Sequence, residues 1–118
     1  MTKTVIYHNP RCSKSRATLA LLEAQTNNIE VIKYLENPPN QNTIKRLLDE
    51  LNMDIRDILR KTETDYKEQN FADKSLNEAE LIKKLSQFPK VLERPIVSHQ
   101  GKAIIGRPPE NVLSLFND

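Results

Sequence analysis

The chain has 118 residues, enough for one domain, with 37% apolar residues to build a single core. Its 18 Lys and Arg against 16 Asp and Glu exclude a strongly basic nucleic-acid surface, and no apolar run is long enough for a signal peptide or a membrane span. One cysteine excludes an internal disulfide, and two widely spaced histidines beside it give no zinc pattern, so a cytoplasmic chain with no metal and no bound cofactor is expected.

Thr4-Val5-Ile6-Tyr7 is β-branched and aromatic and reads as a buried strand, broken by Asn9-Pro10. From Ser13 to about Thr26 the apolar positions Ala17, Leu19, Ala20, Leu21 and Leu22 suit a helix, and Ile29 to Leu35 reads as a second strand. Strand, helix and strand within so few residues predict a βαβ unit with a parallel pair. Pro38-Pro39-Asn40 reads as a turn and an N-cap before a helix with Ile44, Leu47, Leu48 and Leu51 on one face. Asp54 opens a short helix with Ile55, Ile58 and Leu59, and Thr62 to Lys74 reads as polar surface structure with one short helix. Asn77 with Glu80 forms a capping-box signature for a helix that buries Leu81, Ile82, Leu85 and Phe88 and ends at Pro89. Pro95 to His99, Gln100-Gly101 and Lys102 to Ile105 predict a β-hairpin, followed by a final helix starting at Pro108-Pro109. The order β-α-β, helices, β-β-α predicts an α/β fold: a mixed four-stranded sheet with flanking helices. A single domain over 1–118, with a helical insertion at about 41–88, is expected.

Cys12 falls at the start of the first helix, where free N–H groups and the helix dipole favour a thiolate. A thiol of pKa about 8.5 needs roughly 2.7 kcal/mol of anion stabilisation to fall by about two units, and a helix terminus supplies only about 0.3–1 kcal/mol. His8, Arg11, Lys14 and Arg16 lie near in sequence, and the Ser15 hydroxyl is a candidate donor. A lone cysteine is ordinarily a small buried hydrophobe, but this one sits among Pro, Arg, Ser and Lys.

The segment Tyr7-His8-Asn9-Pro10-Arg11-Cys12-Ser13-Lys14-Ser15-Arg16 resembles the active-site segment of the glutaredoxin-coupled arsenate reductases. The resemblance continues through Tyr34-Leu35 with Pro38-Pro39, Ile58-Leu59-Arg60, Glu93-Arg94-Pro95-Ile96-Val97 and Ile105-Gly106-Arg107-Pro108-Pro109, so it spans essentially the whole chain. It implies a thioredoxin-like fold and arsenate reductase activity. It also assigns roles: Cys12 as nucleophile, Arg60, Arg94 and Arg107 as the arginines that hold the anion, and His8 as a residue associated with activating the cysteine. Ser15 takes the place of the second cysteine of dithiol glutaredoxins, and Pro95 matches a proline that is usually cis. The implied route is a Cys12–arsenate adduct, glutathione addition with reduction to arsenite, and resolution of the mixed disulfide by glutaredoxin. Arsenate, glutathione and glutaredoxin are therefore the expected partners, with glutathione a co-substrate.

Read singly, each arginine has an ordinary explanation: Arg60 near a helix C-terminus, Arg94 and Arg107 in loops. Arg94 and Arg107 share one feature, since both precede prolines that restrict their backbone. His99, Lys61 and Lys102 read as ordinary hairpin or surface residues. A phosphatase-type loop requires Arg after five intervening residues, where this chain has Thr18, and a dithiol oxidoreductase requires a second cysteine at Ser15. The alternatives that remain are a glutathione-dependent thiol oxidoreductase and a non-enzymatic thioredoxin-like regulator, whose usual Cys-x-x-Cys switch is lacking.

Overall fold

The computed structural model describes residues 3–116. The chain forms two compact units, one from the residues up to Asn37 together with those from Arg94 onward, the other from Pro38–Glu93.

The first unit is built on a four-stranded sheet of β1 (Thr4–His8), β2 (Ile29–Lys33), β3 (Ile96–His99) and β4 (Lys102–Ile105), in the order β2-β1-β3-β4. β1 runs parallel to β2, pairing Thr4 with Ile29 and His8 with Lys33. On its other side β1 runs antiparallel to β3, pairing Thr4 with His99 and Tyr7 with Ile96. β3 and β4 form the expected hairpin, Ile96 opposite Ile105. Gln100 and Gly101 both take positive φ, 53° and 78°, as a two-residue hairpin turn with the right-handed strand twist requires. The second strand ends at Lys33, which leaves Tyr34 and Leu35 just beyond it.

Helix α1 (Ser13–Gln25) crosses the sheet, and Ile6, Leu22, Val97 and Val112 form the core beneath it. Its buried positions are Ser15, Thr18 and Leu22, whereas Ala17 and Ala20 are exposed. Leu22 is in the core with Leu19 and Leu21 packed against it, and small hydroxyl residues pack inward beside them because the neighbouring backbone comes close. At Gly106 a Cβ would lie 2.6 Å from Thr18 Oγ1 and 3.0 Å from Pro95 Cγ, so only glycine fits there unchanged. The C-terminal segment Pro109–Phe116 is a 3-10 helix and not the expected regular α-helix; Val112 is its buried residue, and Phe116 packs on His99 with ring centroids 4.6 Å apart.

The second unit contains α2 (Gln41–Leu51), a 3-10 turn (Ile55–Ile58), α3 (Thr64–Glu68), α4 (Glu78–Gln87) and a 3-10 turn (Pro89–Val91). Asn40 caps α2 by accepting from the Thr43 N–H at 2.8 Å. Asn77 and Glu80 close their capping box at 2.8 and 3.1 Å. Ile44, Leu47, Leu48, Leu51, Leu81, Ile82 and Leu85 are buried as their spacing predicts. The polar stretch after Thr62 departs from expectation: Phe71 within it is fully buried, stacked on Tyr66 at 5.9 Å and edge-on to Phe88 at 6.5 Å. Arg56 holds this stretch by donating to the carbonyls of Phe71, Asp73 and Leu76. Among the described residues no helix is long and apolar enough to cross a membrane.

Candidate active site

The parallel β1–β2 pair delivers the chain from the end of β1 into a tight turn. The Cys12 N–H donates to the Asn9 carbonyl at 3.0 Å, and the Asn9 side chain accepts from the Arg11 N–H at 3.0 Å. Arg16 closes the turn from outside, donating to the Pro10 carbonyl at 2.9 Å. Cys12 is the N-cap of α1, half-buried, with its extended backbone aiming the sulfur along the start of the helix.

Burial pushes the Cys12 thiol up, but it is outweighed. The Ser15 N–H, the Arg94 guanidinium and the Lys14 N–H all bond to the sulfur, the Arg94 charge adds to this, and the net pKa is lowered. The helix terminus thus acts through two identified N–H groups, and Arg94, brought across the sheet by β3, supplies the extra stabilisation that a helix end alone does not. Ser15 contributes its backbone. Its hydroxyl, the expected donor to the sulfur, is engaged elsewhere: Oγ lies 2.6 Å from His8 Nδ1 and accepts from the Asn9 N–H at 3.0 Å. His8 is buried, and burial, with Lys33 and Arg16 nearby, lowers its pKa. With His8 neutral, the Ser15 hydroxyl donates to Nδ1 and the imidazole proton sits on Nε2. His8 therefore braces the first turn of α1 through Ser15.

Arg94 and Pro95 precede β3, and their peptide bond is cis, as is that between Arg107 and Pro108. The Arg107 guanidinium donates to the Arg94 carbonyl at 3.3 Å, and the backbone next to it is fixed by the Gly106 N–H donating to the Pro95 carbonyl at 2.9 Å. Arg94 and Arg107 are both half-buried, and neither is a freely solvated loop residue. Arg60 belongs to the other unit. Its N–H donates to the Val91 carbonyl, and its side chain pairs with Glu63 at 3.5 Å and Glu93 at 3.6 Å. Lying beyond the 3-10 turn, it does not cap a regular helix.

Two residues of this neighbourhood carry no role in the sequence reading. Asn9 appears there only as a strand breaker, yet it accepts at both its carbonyl and its side chain to shape the cysteine turn. Tyr34 is fully buried, and the Arg94 guanidinium and the Asn9 side chain face its ring end. The signal for both was positional: each lies one residue beyond the last parallel pair, His8 with Lys33. On the outer side of the turn an open cleft of about 250 Å³ is lined by His8, Pro10, Arg11, Lys33 and Leu35, among others.

A mixed sheet whose first strand leads to a cysteine of lowered pKa at the start of the first helix, with Pro95 ahead of the neighbouring strand β3, defines a thioredoxin-like thiol protein. Comparison with known proteins narrows the class. The pattern of the ArsC family matches residues 7–115, and the chain belongs to that family. It is 53% identical to an uncharacterized protein of Escherichia coli strain K12, YfgD, over 98% of both chains. It is 42% identical to an arsenate reductase of Neisseria meningitidis serogroup A, over 98% of this chain and 100% of that one. Among solved structures, an arsenate reductase from Vibrio cholerae superposes with a TM-score of 0.92 at 48% identity, covering 97% of this chain and 98% of the other.

Proposed function

We propose that this protein is an arsenate reductase in which the Cys12 thiolate attacks arsenic. The observation that carries the reading is the set of donors on the sulfur: two backbone N–H groups and the Arg94 guanidinium, which together lower the thiol pKa. An attacking thiolate needs that stabilisation, and a buried structural cysteine does not. Names of relatives that match this chain over nearly its whole length point to the same substrate.

In this reading Arg94 and Arg107 neutralise the arsenate oxygens and draw electron density from arsenic, and Arg60 is the third anion ligand that the family resemblance assigns. The Cys12 sulfur forms a bond to arsenic(V), and one oxygen leaves as water after taking up protons. A glutathione thiolate then adds. The two sulfurs give up two electrons, arsenic leaves as arsenite, and Cys12 and glutathione remain joined as a mixed disulfide. Glutaredoxin reduces that disulfide and restores the thiol. The chain's single cysteine suits a cycle that borrows its other thiols, and glutathione is held reduced in the cytoplasm, where the reading places the protein. Arg11 and Lys33 on the rim of the outer cleft offer cations for the carboxylates of glutathione.

The test is arsenate-dependent turnover coupled to glutathione and glutaredoxin, with Cys12→Ser as control. Turnover that requires both thiol donors and is abolished by Cys12→Ser supports the reading. Absence of arsenate-dependent oxidation of glutathione with active glutaredoxin present rejects it.

A further inference from the structure

Asn9, Tyr34 and Arg94 lie just outside the paired ends of three neighbouring strands: Asn9 and Tyr34 each follow the last parallel pair, His8 with Lys33, and Arg94 precedes β3, whose Ile96 pairs with Tyr7. Tyr34 enters a turn there, with Glu36 and Asn37 donating to the Lys33 carbonyl. Arg94 and Asn9 both act on the Tyr34 hydroxyl, and the Asn9 carbonyl holds the Cys12 N–H. Tyr34 has no exposed surface, and its hydroxyl closes no hydrogen bond with any protein group. The Arg94 guanidinium and the Asn9 side chain are close enough to influence it by charge and by hydrogen bonding, and Cys12 acts on it through charge, but none closes a bond of standard geometry on it. A fully buried hydroxyl is nearly always paired, because leaving one unpaired forfeits its hydration for nothing. An orphan hydroxyl between the thiolate's arginine and the thiolate's turn calls for an acceptor that arrives from outside.

We propose that the Tyr34 hydroxyl is a hydrogen-bond donor to the tetrahedral oxyanion bound at Cys12 and Arg94. The inference rests on the arsenate reading and extends it with a ligand contact from β2's end of the sheet. Arsenate offers four oxygens, each with lone pairs, more than a single guanidinium fork satisfies. Burial raises the Tyr34 pKa despite the nearby Arg94, so the phenol keeps the proton it donates. A neutral donor complements Arg94 here, since it adds a directed bond without another buried charge.

The experiment is protection of Cys12 from iodoacetamide by arsenate, in wild type and in Tyr34→Phe, alongside thermal melting of both ligand-free proteins. Phe keeps the ring and removes only the unpaired hydroxyl, so Tyr34→Phe is expected to melt at or above the wild-type temperature. Half-protection of the variant should need about tenfold more arsenate, the effect of one lost hydrogen bond to a charged oxygen. Equal arsenate concentrations for half-protection overturn the proposal, whatever the melting temperatures. A lower melting temperature together with equal protection identifies Tyr34 as a packing residue. Failure of arsenate to protect even the wild type overturns the arsenate reading itself, and the Tyr34 contact falls with it.

Discussion

The Cys12 thiol pKa is lowered by neighbours from two directions, its own helix and the strand across β1. Because the N–H groups of Ser15 and Lys14 belong to the backbone, side-chain substitution leaves them in place, and Arg94 is the contributor that mutation can remove. The rate of Cys12 alkylation against pH should therefore inflect below the ordinary thiol value of about 8.5. In Arg94→Ala the inflection should move up toward that value, and in Arg94→Lys part of the way, since lysine keeps the charge and loses the fork. An unmoved inflection in Arg94→Ala would assign the whole effect to the helix terminus. His8 gives a second expectation. Its folded pKa lies below the ordinary histidine value of about 6.5, so in the window just under 6.5 the unfolded chain binds more protons than the folded one. Stability contributed by neutral His8 is thus present above 6.5 and is lost as pH falls through that window. Urea midpoints should fall between about pH 7.5 and about pH 5.5, and less steeply in His8→Asn, which cannot titrate.

At the scale of elements, α1 is held against the hairpin by a fit that leaves no room for a methyl group. Gly106→Ala would set a Cβ 2.6 Å from Thr18 Oγ1, and overpacking of this kind costs about 1–3 kcal/mol. Denaturant unfolding should show that loss, and a Thr18→Ala background should recover part of it; additive losses would mean that the strain is relieved elsewhere. The same contact explains what could be read from sequence and what could not. The strands, the caps at Asn40 and Asn77, the hairpin and the place of Cys12 before α1 are written in local residue chemistry. The inward face of α1 is not, because Ser15 and Thr18 are buried by a close backbone and by His8, both supplied from a distance. Phe71 escaped for a similar reason: its burial depends on Tyr66, Phe88 and the carbonyl clamp of Arg56. Tyr34 and Asn9 became visible only through the turn bonds beyond the strand ends and through Arg94, which comes from far along the chain. By contrast, the resemblance marked Cys12, Arg94 and the cis Pro95 through motifs spread along the chain; all three fall within one unit, where Arg94 acts on the Cys12 sulfur.

Over the whole molecule, the arginines assigned to the anion divide between the two units. Arg94 and Arg107 are joined through the Arg94 carbonyl, whereas Arg60 is held by Glu63 and Glu93. Those carboxylates orient the Arg60 guanidinium and also compete with any other anion for it. If Arg60 serves the reaction, Arg60→Ala should lower kcat/KM for arsenate by about 10- to 150-fold, the range of a lost charge-assisted hydrogen bond of about 1.5–3 kcal/mol. Arg60→Lys should fall between. A wild-type rate with reduced stability would make Arg60 an ion-pair scaffold of its own unit.

The discontinuity of the first unit also sets an order of events. β1, α1 and β2 occupy the opening of the chain, but β1's second partner is β3, with Thr4 paired to His99 across almost the full length of the sequence. Contacts this distant in sequence form late, because a long loop must close before they repay its entropy. The helices between, by contrast, are stabilised by caps and contacts close at hand. The Arg94 contribution to the Cys12 thiol therefore arrives only when β3 has joined β1. Part of what lowers the Cys12 thiol pKa is thus tied to completion of the sheet, so the chemistry of this side chain and the closing of the fold are coupled through Arg94.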